Sequence, residues 1–129
     1  PNYSKVKTFI LELGYTIDHE SIEDGLIIIS DESSGISRLI IGVADPLIII
    51  EQYIFTISKD FSDIYLALLK KNRDIIHGAF VLDESGKKVL FRDTLEIENL
   101  DLNELEGSIN SLALLLSEYS DELISFTHS

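Results

Sequence analysis

Asp101 to Leu123 reads DLNELEGSINSLALLLSEYSDEL, and Leu102, Leu105, Ile109, Leu112, Leu116, Tyr119 and Leu123 recur in it at spacings of 3, 4, 3, 4, 3 and 4. That period keeps one apolar stripe along one side of a long helix. Asp101 is placed to serve as N-cap with Glu104 three residues on, and Leu100 stands where a hydrophobic staple would meet Leu105. Ala113, Leu114 and Leu115 widen the stripe, which predicts a broad contact with another layer of the same core. A helix with so much apolar face needs a surface to cover, and the preceding sequence supplies strands for it.

Gly78–Leu82 and Lys87–Arg92 flank Asp83-Glu84-Ser85-Gly86, the composition of a hairpin turn. Before them, Phe61, Ile64, Tyr65, Leu68 and Leu69 form a helical stripe that Ser58 or Asp60 can cap. Lys70-Lys71-Asn72-Arg73 marks its end, where cations complement the helix dipole. At the start of the chain Val6, Phe9, Ile10 and Leu13 share a face of a short helix that Gly14 can close. Asp18, His19, Glu20, Glu23 and Asp24 then read as a charged loop ending in Gly25. Leu26–Ile29 and Ile36–Val43 read as two strands joined by the Asp31–Gly35 turn, and Asp45-Pro46 separates them from a third, Leu47–Ile57. The alternation in Leu47–Ile57 is imperfect, which predicts a bulge, and both its faces are largely apolar, which predicts burial on both sides. The order α-β-β-β-α-β-β-α describes a single α+β domain over 1–129, an antiparallel sheet with helices packed on it.

Composition narrows the function. The 129 residues carry 23 Asp+Glu against 10 Lys+Arg, a net charge of −13, and such a chain repels phosphate backbones and anionic lipid surfaces. Neither nucleic acid nor a membrane surface is an expected partner. No uncharged apolar run approaches the length a bilayer needs, and Pro1-Asn2-Tyr3-Ser4-Lys5 lacks the basic-then-apolar order of a secretory signal. Cysteine is absent, so thiol nucleophiles and thiolate metal sites are excluded and a reducing cytoplasm is the expected location. With 20 Ile and 19 Leu, the chain has the bulk to bury roughly two-thirds of its unfolded surface without covalent staples.

Residues able to do chemistry are sparse. His19, His77 and His128 share no ligand spacing, and His77 directly precedes a strand, where it reads as a strand-edge residue and not a base. Asp18, His19, Glu20, Glu23 and Asp24 could gather a hard cation, which makes a regulator binding a small ligand or divalent metal through loop 18–24 the alternative function. The loop lacks the alternating Asp/Asn pattern and closing Glu of an EF-hand, and a solvated acidic loop is the plainer reading. Neither a Gly-x-Ser-x-Gly elbow nor a phosphate-binding glycine pattern occurs. Lys70, Lys71, Arg73, Lys87, Lys88 and Arg92 are interleaved with Asp74, Asp83, Glu84 and Asp93, as on a solvated face. From Asp93 to Glu122, by contrast, nine acidic residues occur with no Lys or Arg, a polarity able to steer a basic partner segment.

Leu68-Leu69-Lys70-Lys71-Asn72-Arg73, then Gly78-Ala79-Phe80-Val81-Leu82-Asp83, Gly86, Val89-Leu90-Phe91-Arg92 and the capped leucine-rich helix resemble the YbjN and type III secretion chaperone-like (CesT/Tir chaperone-like) family. There a helix ending in "LL..N" leads to a "g.f.LD..G.v.l" hairpin and a terminal helix. The resemblance covers about Phe61 to Leu123, and the first half only in element order. It implies a small, acidic, cytoplasmic α+β protein without catalytic residues or cofactor, commonly a homodimer, holding a protein or peptide partner on apolar patches and in part by strand addition. The partner-binding candidates, named by position on the Ile-rich third strand, are Ile48, Ile50, Ile54 and Phe55.

Overall fold

The computed structural model describes residues 2–58 and 62–127. The chain runs through α1 (Asn2–Glu12), β1 (Thr16–Ser21), β2 (Leu26–Asp31), a 3₁₀ turn (Glu32–Ser34), β3 (Ile36–Ala44), β4 (Leu47–Thr56), α2 (Ser62–Asn72), β5 (Ala79–Leu82), β6 (Lys88–Glu96) and α3 (Leu102–Thr127). All neighbouring strands pair antiparallel in one six-stranded sheet of order β1-β2-β3-β4-β6-β5. Helices pack on this sheet, α1 against β3 and α3 against β4, while α2 lies beside the edge strand β5. The α+β class and the antiparallel sheet are as the sequence predicts. Among the described residues no helix is long and apolar enough to cross a membrane.

Strand periodicity sorts the apolar residues onto the covered face. Ile27 and Ile29 of β2, Leu39 and Ile41 of β3, Ile48 and Ile50 of β4 and Val89 and Phe91 of β6 are all fully buried. Val6 and Ile10 of α1 and Leu105, Ile109 and Leu112 of α3 are buried as completely. Each such side chain contributes about 1.5–3 kcal/mol relative to exposure, so the two-layer contact dominates the stability of the fold. Asp101 caps α3 as its position predicts, its Oδ1 accepting the Glu104 N–H at 2.8 Å. Asp101→Ala is expected to cost about 1 kcal/mol, read as a lowered midpoint in urea denaturation.

Three expectations need correction. The charged loop predicted over 18–24 is in its first half a sheet-edge strand, β1, so the order is α-β-β-β-β-α-β-β-α. Its polar residues are compatible with a strand because only one neighbour, β2, pairs with it, and Asp18 is bulged out of register between Ile17 and His19. β4 is buried on one face and not on both: Ile48, Ile50 and Gln52 point inward while Leu47, Ile49 and Glu51 remain half-buried. The predicted bulge is present between Tyr53 and Phe55 and moves Phe55 and Ile57 onto the buried face. On α3, Leu115 is buried where the strict spacing favours Leu116, which is only half-buried. The cap proposed at Asp60 and the stripe residue Phe61 lie outside the described residues, as does His128.

Candidate functional site

The four partner-binding candidates on β4 separate by face. Ile48 and Ile50 are fully buried beneath the helices, and Phe55 is buried with its ring 5.9 Å from that of Phe126 on α3. Their contacts in this fold are with the core. Ile54, next to the bulge, is half-buried.

The acidic segment expected as a candidate cation site is divided between a strand and a turn. Glu20 accepts a hydrogen bond from the Tyr3 hydroxyl at 2.7 Å and pairs with Lys7 at 3.0 Å, which ties α1 to β1. The Tyr3 hydroxyl and the Lys7 ammonium hold the Glu20 carboxyl below the ordinary carboxylate range. Burial, with the Glu20 carboxylate beside it, pushes the Tyr3 phenol up to about 12. Asp24 is engaged by Ser21 within the turn, Oγ to Oδ2 at 3.1 Å. Among the described residues no group of three or more His, Cys, Asp or Glu is placed to hold a metal ion, so the metal-binding alternative has no donor set to build on.

Two of the six basic residues named above are paired with carboxylates. Lys71 pairs with Glu122 at 2.8 Å and sits 5.1 Å from the Tyr119 ring centroid, a contact that joins α2 to α3. Arg92 pairs with Glu51 at 3.3 Å across the sheet. His77 lies in the loop before β5 and not in the strand.

Apolar surface is exposed in two places. On the sheet face away from the helices, one rung runs His19, Ile28, Ile40, Glu51, Arg92 and Ala79. The next carries Leu26, Gly42, Ile49 and Thr94, and another Tyr53, Leu90 and Val81. Ile40 is 41% exposed and Tyr53 53% exposed, with half-buried Ile49 and Leu90 among their neighbours. A second apolar surface is the groove between α2 and β5, about 250 Å³, where Leu69 is 68% exposed beside Tyr65 and Leu82. There Asn72 lies against the outer edge of β5: its Oδ1 accepts the Phe80 N–H at 2.7 Å and its Nδ2 donates to the Phe80 carbonyl at 3.1 Å. Sequence reasoning singled out Asn72 only as part of a motif, and it missed the sheet's open face because it predicted β4 to be covered on both sides. The register between Ile28, Ile40 and Glu51 was the missing information.

Comparison with known proteins places this geometry. A model of the CesT_Tir_1 family matches residues 1–129. Among solved structures, YbjN from E. coli is similar at a TM-score of 0.72 and 12% identity, over 95% of this chain and 93% of its own. The type III secretion chaperone SycH of Yersinia pestis, solved in complex with a stable fragment of YscM2, is similar at a TM-score of 0.61 and 18% identity, over 98% and 99%. A chain of the HopA1–SchA chaperone–effector complex is similar at a TM-score of 0.62 and 11% identity, over 98% and 94%. No curated protein matches the chain. At these identities the likeness to the solved structures is one of fold.

Proposed function

The chain belongs to the CesT_Tir_1 family, and from that premise we propose that it is a non-enzymatic, chaperone-like protein that holds a segment of a partner polypeptide and works in the cytoplasm as a homodimer. The observation that carries the reading is the open face of the sheet. The solvated face of an antiparallel sheet ordinarily alternates to polar residues. Here Ile40, Ile49, Tyr53 and Leu90 stand there together, around the Glu51–Arg92 pair. Contiguous apolar surface of this kind marks a docking site, and the net charge of −13 keeps a protein that exposes it dispersed. Two solved proteins of similar fold support the reading by their company: SycH carries a fragment of YscM2, and SchA an effector. For the second copy of the dimer, the α2–β5 groove with exposed Leu69 and Leu82 is the better seat, because it leaves the open face free.

The test uses tagged protein as bait in lysate of the source cells, wild type beside Ile40→Asp/Tyr53→Asp. At least one polypeptide retained by the wild type is expected to fall more than about tenfold with the variant, since truncating or charging a central apolar contact removes most of the binding energy. Equal retention by both baits, or none by either, overturns the reading. Sedimentation at micromolar concentration tests the dimer, which Leu69→Asp is expected to dissociate; a monomeric wild type would sink that part.

A further inference from the structure

The loop between α2 and β5 is fastened to α3. The His77 N–H donates to Ser111 Oγ at 3.2 Å, and the Ser111 hydroxyl donates to the His77 carbonyl at 2.7 Å. Gly107 of α3 faces the same loop, the position of a Cβ on it lying 3.4 Å from His77 Nε2, an ordinary van der Waals distance. Between this pinned loop and α3 is a cleft of about 190 Å³. Its apolar part includes Ile76, 78% exposed, and Leu114, 53% exposed, with Leu115 buried deeper. Asp74 and Glu118 also line it, both exposed, and no Lys or Arg does. The adjoining depression, which shares Asp74 and Tyr119, contains Lys70 and Lys71, the latter already paired with Glu122.

We propose that this cleft takes a lysine or arginine side chain from a basic, apolar segment of the partner polypeptide. The proposal rests on the protein-binding reading and adds the chemistry of the segment. Lys and Arg alone combine an aliphatic stem, which fits Ile76 and Leu114, with a cationic head, which Asp74 and Glu118 attract. A purely apolar side chain would leave the two carboxylates without a counter-charge, and an acidic one would be repelled. The wider field agrees, because α3, which forms one wall, carries Glu104, Glu106, Glu118, Asp121 and Glu122 and no Lys or Arg.

Three rhodamine-labelled octapeptides serve as probes in fluorescence anisotropy at about 0.15 M salt, where long-range attraction is screened. One alternates leucine with arginine, the second leucine with glutamate and the third serine with arginine. The wild type is expected to bind the leucine–arginine peptide and neither of the others comparably. Asp74→Asn/Glu118→Gln is expected to weaken that binding about tenfold, the sum of two exposed ion pairs. Glu12→Gln/Glu23→Gln removes the same net charge from exposed positions outside the cleft and is expected to change it less than about twofold. Ile76→Ser/Leu114→Ser is expected to weaken it about tenfold through the lost apolar contact. Equal effects of the two charge-removing variants, comparable binding of the leucine–glutamate peptide, or no binding of the leucine–arginine peptide overturns the proposal. The bait experiment with Ile40→Asp/Tyr53→Asp reports separately on whether the protein holds a partner at all.

Discussion

Gly78→Ala is expected to destabilise the protein by about 3 kcal/mol, the combined cost of a left-handed backbone for a residue with a Cβ and of overpacking a filled core. Gly78 has φ +78°, and a Cβ on it would stand 2.5 Å and 2.6 Å from the Phe91 ring and 3.0 Å from the Arg92 carbonyl oxygen. Phe91 cannot give way easily, because it is fully buried between the sheet and the helices. Relief must come from moving the start of β5, which would also disturb the loop that His77 fastens to α3. Gly86 provides the matched control: its φ is +75°, but nothing lies within 4 Å of its Cβ position. Gly86→Ala should therefore show the backbone part alone, about 1 kcal/mol. Urea denaturation of the two variants checks both numbers. A loss at Gly78 no larger than that at Gly86 would show that the Phe91 contact has no energetic weight.

These two glycines show where the sequence was legible and where it was not. Gly86 was visible as turn chemistry and Gly78 only as the start of a strand, and the proximity of Gly78 to Phe91 depends on β5 pairing with β6, Phe80 opposite Phe91. The α3 helix was legible in nearly every respect, cap included, because its period and its N-terminal signals are local. Leu115 displaced Leu116 because the sheet meets a wider arc of the helix than a single stripe. β1 was illegible for the opposite reason. Asp18, His19 and Glu20 suppress the apolar alternation that announces a strand, yet an edge position makes charge and a bulge an advantage by discouraging stray pairing. As for the proposed docking surface, Ile40, Ile49 and Tyr53 stand in strands whose inward residues are equally apolar, so which face was left uncovered had to come from three-dimensional packing. The cleft between the 74–77 loop and α3 joins residues some thirty to forty positions apart and has no sequence signature.

Asn72 is the residue at which the motif and the function meet. It ends α2 and holds Phe80 by two hydrogen bonds, at 2.7 Å and 3.1 Å, on the side of β5 that no strand covers. Its amide thus replaces one rung of a neighbouring strand. Asn72→Ala is expected to cost about 2 kcal/mol, because it removes two bonds and leaves the N–H and carbonyl of the largely buried Phe80 to find water. Asn72→Asp is close in shape but should cost about as much. A carboxylate still accepts from the Phe80 N–H, but it has no proton for the carbonyl and brings a negative charge to the C-terminal end of a helix, where the dipole opposes it. The second consequence concerns binding. With Asn72 in place, an extended polypeptide cannot add to β5 at Phe80, and at the β1 edge Asp18 interrupts the register, which favours the open face of the sheet as the proposed route for a partner. Asn72→Ala unlocks β5, and concentration-dependent species larger than those of the wild type are expected in sedimentation. A variant as stable as the wild type and unchanged in its association would show that the Asn72 bonds neither support the strand nor guard its edge.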